Sequence, residues 1–379
     1  MSNPGLTRAE GIARLRLWRS AGVGGATYLQ LLGEHGSAQA ALAALPAIMA
    51  DGGKRWAAAP AEQIEAEMAA VRAAGARYIF HDSPDYPPML ALAAGAPPIL
   101  MARGRIELAW LPAVALVGAR NASAAGMQIA RDMARDLSGQ GYAVVSGLAR
   151  GIDAAAHVGA MAAHEGAGTV AVLPGGIDSA YPPEHAALMD EIAGSGLLLA
   201  VAPPGTAPTT GHFHARNRVI ASLSLGVVVV EAAARSGALA TARAAVEDGR
   251  EVMAVPGSPL DARCHGSNRL IHDGALLVQD AQDVIEQVAP LIGGMPAMPA
   301  RPVAPVRPVA PARAAVPAAP TAQALPDRIV ALLGVAPVAV DEILRQCGAS
   351  ADAVQQALVD LELDGLVVRH AGGRIGRSV

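Results

Sequence analysis

The spacing of apolar residues changes twice along the chain. Residues 7–19 and 26–33 carry apolar positions at helical intervals, and residues 1–112 as a whole read as helix and loop. From there short apolar runs recur at 113–117 (Ala-Val-Ala-Leu-Val), 142–146, 169–173, 197–201, 227–230, 252–255 and 275–278, with helix-length segments between several of them. Buried runs alternating with helices predict a parallel sheet with crossover connections. The class expected is α/β, a doubly wound and mostly parallel sheet, with its ligand site beyond the carboxyl ends of the strands. Helical spacing returns at Arg328–Leu333, at Asp341–Gln346 and from about Ala351 to Leu363, where Val354, Leu358 and Leu361 share a face and Gly365 ends the helix. Leu366-Val367-Val368 and Arg374-Ile375 then flank Gly372-Gly373, a hairpin pattern. Three helices and a hairpin predict a winged-helix-like domain.

The boundaries follow from punctuation. Proline stands at every third position from Pro296 to Pro311, the repeat of a polyproline II helix. Residues 292–324 therefore read as a Pro/Ala-rich tether rising roughly 3 Å per residue, with Arg301, Arg307 and Arg313 and no acid. Asp82-Ser-Pro-Asp-Tyr-Pro-Pro88 and Ala96-Pro97-Pro98 are loop-forming. The division expected is 1–80 helical, 81–291 sheet domain, 292–324 linker and 325–379 winged-helix-like. Between the first two helical patterns, Ser20-Ala21-Gly22-Val23-Gly24-Gly25 reads as a tight turn or as backbone N–H groups presented to a phosphate.

Composition narrows the chemistry. Hydrophobic residues make up 52% of the 379 but aromatics only 3%, so alanine and the aliphatics must build the cores. Lys54 is the single lysine, and no P-loop is present. Cys264 and Cys347 are too few for a disulfide framework or a four-thiolate zinc site. No apolar run reaches the roughly 18 residues of a membrane span, and no signal segment opens the chain. A soluble cytoplasmic protein without metal or cofactor is expected. The net charge is −4, concentrated as −6 within residues 113–290. Bulk charge therefore argues against a nucleic-acid partner unless arginines are segregated locally.

They are segregated. The first strand of the parallel block runs into Gly118-Ala119-Arg120-Asn121, with Ser123 placed to cap the next helix. The second ends in Ser146-Gly147-Leu148-Ala149-Arg150-Gly151, followed by Asp153 and His157. Ser146, Asp153 and His157 lack the Gly-x-Ser-x-Gly context of a hydrolase triad. Gly175-Gly176 follows the third strand and can form an anion nest. The most loaded segment is Gly211-His212-Phe213-His214-Ala215-Arg216-Asn217-Arg218: two arginines, an amide and an aromatic suit phosphates and one stacked base of a single strand. His212 and His214 lack an obvious third ligand for a metal. Glu231 ends the fifth strand, and Arg235-Ser236-Gly237 opens the next helix. Many acids instead lie in helical stretches, such as Asp132, Asp136, Asp190, Glu191, Glu247 and Asp248.

Gly118-Ala119-Arg120, the run Ser146 to His157, Tyr181-Pro182-Pro183-Glu184, Arg216-Asn217-Arg218-Val219-Ile220-Ala221 and Glu231 to Gly237 resemble, in this order over about residues 80–290, the DprA (Smf) DNA-processing proteins. The resemblance implies an extended Rossmann-like fold, a SAM or helix-hairpin-helix-like N-terminal domain and a C-terminal winged helix. It implies a non-enzymatic mediator that binds single-stranded DNA, protects incoming strands and helps load the RecA recombinase in natural transformation. The DNA-binding positions expected are Gly118, Arg120, Ser146, Gly147, Arg150, Gly151, Gly175, Phe213, Arg216, Asn217, Arg218, Arg235, Ser236 and Gly237. A homodimer through Asn268, Leu270, Ile271 and Leu277 is also implied. Two positions depart from the family pattern: Ala119 stands where members often carry serine, and His214-Ala215 where they often carry Pro-Arg, which removes a positive charge.

The competing enzyme reading is a nucleotide phosphoribohydrolase of similar fold. Its Pro-Gly-Gly-x-Gly-Thr-x-x-Glu signature fails after Pro174-Gly175-Gly176, and Glu231 has no second acid beside it in sequence. In the C-terminal domain the third helix carries Asp352, Asp360 and Glu362 and no basic residue, which opposes docking in a DNA groove. A protein-interaction or auxiliary module is expected there, with Arg369, Arg374 and Arg377 as its only DNA-facing charges. A transcriptional regulator is the third reading.

Overall fold

The computed structural model describes residues 6–50, 58–296, 325–334 and 337–378. Four helices come first: α1 (Arg8–Arg19), α2 (Gly25–His35), α3 (Ala38–Ala50) and α4 (Ala61–Ala73). Ser20–Gly25 is a tight turn, with Gly22 at φ +84° and Gly24 capping α2. Arg19 of α1 donates to both carboxylate oxygens of Glu67 in α4 and to the carbonyl of Val201, which ties the helices to the sheet beyond them.

Next come β1 (Arg77–Phe80), α5 (Pro88–Ala91) and β2 (Ile99–Gly104). They are followed by β3 (Ala113–Val117), α6 (Ala124–Gly139), β4 (Ala143–Ser146), α7 (Ile152–Ala162), β5 (Thr169–Leu173), α8 (Ala186–Ser195), β6 (Leu197–Ala200), α9 (Thr210–Leu223), β7 (Gly226–Val229), α10 (Ala238–Glu247), β8 (Glu251–Ala254), α11 (His265–His272), β9 (Leu276–Leu277) and α12 (Ala281–Val288). One nine-stranded sheet results, in the order β1-β2-β6-β5-β4-β3-β7-β8-β9. Every pair from β6 to β9 is parallel. The strands at 77–80 and 99–104 differ from the helix-and-loop reading of residues 1–112. They form an antiparallel pair that extends the sheet beyond β6.

The chain moves outward from β3 to β6 and then returns to β7 beside β3, so the switch point lies between those two strands. Side-chain alternation along β3 serves both faces. Val114 and Leu116 pack with Met127, Met133 and Ile152 of α6 and α7. Ala115 and Val117 pack with Val219, Ile220, Ala242 and Ala245 of α9 and α10. Behind β4, the fully buried His157 receives the Leu148 N–H at Nε2 (3.2 Å) and faces the Thr169 hydroxyl with Nδ1 (2.7 Å). That hydroxyl donates to the Val144 carbonyl, which assigns the proton to Nδ1. No helix among the described residues is long and apolar enough to cross a membrane.

The C-terminal domain comprises α13 (Leu325–Leu332), β10 (Val338–Ala339), α14 (Val340–Cys347), α15 (Ala351–Leu363), β11 (Val367–His370) and β12 (Arg374–Arg377). Its strands form a sheet β10-β12-β11, a winged helix with its own core of Ile329, Leu333, Ile343, Val354, Leu358 and Ile375. The expected linker falls mostly on residues 297–324, outside the described residues; its start, to Gly294, closes a 3₁₀ turn.

The winged helix rests on the large sheet domain. Arg131 of α6 donates from both terminal nitrogens to the carboxylate of Glu342 (3.0 and 3.1 Å), whose side chain is 1% exposed. Arg263 donates to the Ala331 and Leu333 carbonyls at the end of α13. Leu332 packs against the apolar cluster under α6.

Two outcomes follow from these contacts. Arg131→Ala leaves Glu342 with Arg345 and Gln346 alone. Losing hydrogen bonds to a buried charge that keeps its other partners should cost about 1.5–3 kcal/mol of docking, and small-angle scattering should show a larger radius of gyration. An unchanged profile would remove Arg131 from the docking contact. Separately, burial pushes His157 down from 6.5 to about 3. Between those values the unfolded chain holds the extra proton. Stability should therefore fall as pH drops from about 6.5 toward 3, by up to about 1.4 kcal/mol per unit. Urea titrations of His157→Gln should lose one proton's worth of that slope, and an identical slope would contradict this burial.

Candidate nucleic-acid interface

Glu231 organises the switch point. Its carboxylate stands at the start of α6, where Oε2 accepts the Ser123 N–H (2.9 Å) and Oε1 accepts the Ser123 hydroxyl. The Ser123 oxygen also caps the Gly126 N–H (2.9 Å). A Cβ on Gly126 would lie 2.5 Å from the Glu231 carboxyl carbon, so the first turn of the helix has to be glycine there. An acid at a helix N-terminus also complements the helix dipole. These bonds fix the turn between β3 and α6, leaving Arg120 and Asn121 exposed at its tip.

A second carboxylate sits one strand over. Asp153 at the start of α7 accepts the Gly147 and Ala149 N–H groups at Oδ2 (3.2 and 3.4 Å) and lies 3.5 Å from a terminal nitrogen of Arg216. Arg216 is only 6% exposed. Its guanidinium lies across Gly147 so closely that a Cβ there would fall 1.4 Å from it. Burial raises the Asp153 carboxyl and depresses the Arg216 guanidinium from their ordinary values. Arginine does not surrender its proton, and two N–H donors meet the acid, so both remain ionised at neutral pH. Arg216 Nε has no hydrogen-bond partner among the described residues.

One turn before Arg216 on α9 is Phe213. The Arg120 guanidinium carbon stands 5.1 Å from its ring centroid and that of Arg216 5.9 Å, within cation–π range. Tyr181 meets the same ring edge-on at 5.3 Å and is 38% exposed. Arg120, Phe213 and Arg216 border a cleft of about 670 Å³ lined also by Gly118, Asn121, Asn217, Arg235, Ser236, Gly237 and Arg263 among others. Four arginines face it against one acid, Asp153. Neither Arg120 nor Arg235 is in an ion pair among the described residues, and both are exposed.

Eight of the fourteen positions expected from sequence line this cleft: Gly118, Arg120, Phe213, Arg216, Asn217, Arg235, Ser236 and Gly237. The other six stand outside its lining. Ser146 is buried and donates its hydroxyl to the Leu116 carbonyl (2.6 Å). Gly147 makes room for Arg216, and Gly151, at φ +71°, lets the loop after β4 cross the Ala119 carbonyl. Gly175 packs against the Thr206 carbonyl. Arg150 pairs with Glu184, and Arg218 pairs with Glu247 on a side of α9 near Gly95. Ser146, Asp153 and His157 each bond elsewhere and form no triad. His212 Nδ1 accepts the Thr209 N–H, closing a helix cap. Among the described residues no three His, Cys, Asp or Glu side chains group as metal ligands.

Two contributors were not among the positions expected to bind DNA. Arg263 enters from the 3₁₀ turn Ala262–Cys264, beyond the last strand-end motif considered. Tyr181 reaches the site through its ring contact with Phe213 alone.

Residues 77–289 match the family model of DNA recombination-mediator protein A, residues 8–70 that of the DprA-like N-terminal HHH domain and residues 312–373 that of the DprA winged helix domain. The chain is 42% identical over 202 residues to the DNA processing protein DprA of Streptococcus pneumoniae, covering 53% of this chain and 71% of that one. It is 33% identical over 320 residues to the protein Smf of a Synechocystis species, covering 79% and 80%. An X-ray structure of the S. pneumoniae protein superposes with a TM-score of 0.53 at 40% identity, over 56% of this chain and 74% of that one. DNA processing protein A of Helicobacter pylori, whose structure is described for its single-stranded DNA binding mode, gives 0.51 at 27% identity, over 58% and 97%. With its helical, sheet and winged-helix domains all matched in order, the chain belongs to the DprA family of DNA recombination mediators.

Proposed function

We propose that the cleft binds single-stranded DNA, and that through it the protein protects incoming strands and helps load the RecA recombinase during natural transformation. The observation that carries this reading is the pair of exposed, unpaired guanidinium groups, Arg120 and Arg235, sharing a cleft with Phe213. Arginines take phosphates, and an aromatic ring beside them offers a platform to any base. Arg216 works from beneath: desolvated and held by Asp153, its guanidinium is fixed against Phe213 and needs no reordering when an anion arrives. The binding mode described for the H. pylori relative supports the choice of a single strand. RecA and transformation rest on family membership.

The function is binding rather than catalysis. The one acid that a phosphoribohydrolase reading would recruit, Glu231, is buried and occupied by Ser123, and it does not line the cleft. Self-association through the end of the sheet is part of the proposal. There β9 is the edge strand, and Leu277 is 43% exposed on it beside Leu276. Leu270 and Ile271 are half-buried against the core, while the Asn268 side chain is engaged with both the N–H and the carbonyl of Gly257.

Two measurements test this. Arg120→Ala and Arg235→Ala should each weaken binding of single strands of any sequence and reduce the salt slope by about 0.7 per lost phosphate contact. Phe213→Ala should cost about 1–3 kcal/mol of affinity. A folded double arginine variant that binds like the native protein, or release of free base from nucleoside monophosphates, would overturn the reading. For the dimer, Leu277→Arg and Ile271→Arg should give folded monomers by light scattering, Leu277→Arg with the smaller cost to the fold. A dimer that persists in both would place the interface elsewhere.

A further inference from the structure

The cleft does not end at Arg263. A second groove of about 470 Å³ opens between the sheet domain and the winged helix, lined by Asn121, Leu260, Asp261, Arg263, Val330 and Arg377 among others. Asn121 and Arg263 line both cavities, so the two meet at these side chains. We infer that this groove is the continuation of the single-strand track, and that Arg377 on the last strand of the winged helix holds a backbone phosphate of the DNA leaving the cleft. The inference rests on the single-strand reading of the cleft.

Both walls of the groove are fixed. On the winged-helix side, Arg263 holds the carbonyls of Ala331 and Leu333 while Asp261 grips its guanidinium through both carboxylate oxygens. Arg131 and Glu342 hold the same domain from α6. The charge inside is positive and unspent. Asp261 is satisfied by Arg263 and lies close enough to feel Arg377, but Arg377 itself is exposed and makes no ion pair of its own among the described residues. The Asn121 side chain makes no hydrogen bond there either, and an amide suits a phosphate or a base edge equally. Leu260, 78% exposed at the rim, offers a base an apolar face. A flexible single strand can bend through such a corner, whereas a duplex of persistence length about 150 base pairs cannot do so cheaply. The contact uses the wing strand and leaves the acidic α15 out.

The test uses the full-length chain and two oligothymidylates, one of about 4–6 nucleotides that fills the cleft alone and one of about 16 that also spans the groove. Native protein should bind the longer strand more tightly. Arg377→Glu should remove most of that gain, about tenfold, and lower the salt slope for the longer strand by about 0.7 while leaving the short one unchanged. Arg377→Lys should restore it. Arg374→Glu makes the same charge change on the same strand but outside the groove, and should keep the gain. Equal affinity of Arg377→Glu and native protein for the longer strand, or an equal loss in Arg374→Glu, would overturn the inference and leave the cleft reading standing. Native protein that binds neither strand would instead remove the cleft reading on which the inference depends.

Discussion

A buried guanidinium beneath an open cleft is the constraint around which the middle domain is arranged. Arg216 cannot shed its proton, so its burial demands a buried anion, and Asp153 supplies it. Asp153 in turn has to be held, and the Gly147 and Ala149 N–H groups do so. That wraps the loop after β4 tightly around the carboxylate and puts Leu148 at φ +57°, where the buried His157 receives its N–H. Gly147 has to lack a side chain because the guanidinium occupies that volume. Five residue choices spread over seventy positions thus serve one charge. What the arrangement yields is a cleft floor whose guanidinium is fixed in place by a buried ion pair, leaving the net positive field of the cleft to Arg120 and Arg235.

The same logic explains how a domain of net −6 can present a basic surface. Of the acids near the switch point, Glu231 is turned inward against Ser123 and lies outside the cleft lining, while Asp153, which lines it, is buried and paired with Arg216. Arg120 stands on a turn whose geometry Glu231 fixes, and among the described residues neither it nor Arg235 is in an ion pair. Other acids are spent on helix surfaces, as Asp132 and Asp136 are with Arg135. Net charge averages over all of this, whereas an anion in the cleft meets only the local field, other charges being screened beyond about a Debye length of 8–10 Å.

The legible part of the fold was the part with period and punctuation. Strands β3 to β7 are short, mostly apolar runs buried on both faces, and glycine follows the ends of β3, β4 and β5, with arginine close behind the first two. The antiparallel pair β1 and β2 was not legible, because Arg77-Tyr-Ile-Phe80 is four residues long and β2 follows two prolines in a segment otherwise reading as loop. In the site, local sequence showed which arginines follow strands but not which are already paired. Arg150 and Arg218 meet Glu184 and Glu247 across 34 and 29 residues of chain, a pairing that only the folded backbone brings about. Arg263 was hidden for the converse reason: nothing in its own neighbourhood signals a site, and it reaches the cleft because the turn after β8 lies beside the switch point.

Arg263 also shows why the winged helix is joined to the sheet domain where it is. The last carbonyls of a helix have no partners within it. Those of α13 are met by a side chain that belongs to the cleft, so the end of one domain's helix and the wall of the other's site share one guanidinium. Asp261 holds that guanidinium flat and sits low in its own titration range because of it. A movement of the winged helix would strip two acceptors from Arg263 while Asp261 keeps its hold on the guanidinium, and a movement of Arg263 would leave the end of α13 unsatisfied. The two domains are therefore coupled through the chemistry of a helix C-terminus at the rim of the cleft itself, and anything that displaces one breaks hydrogen bonds that the other needs.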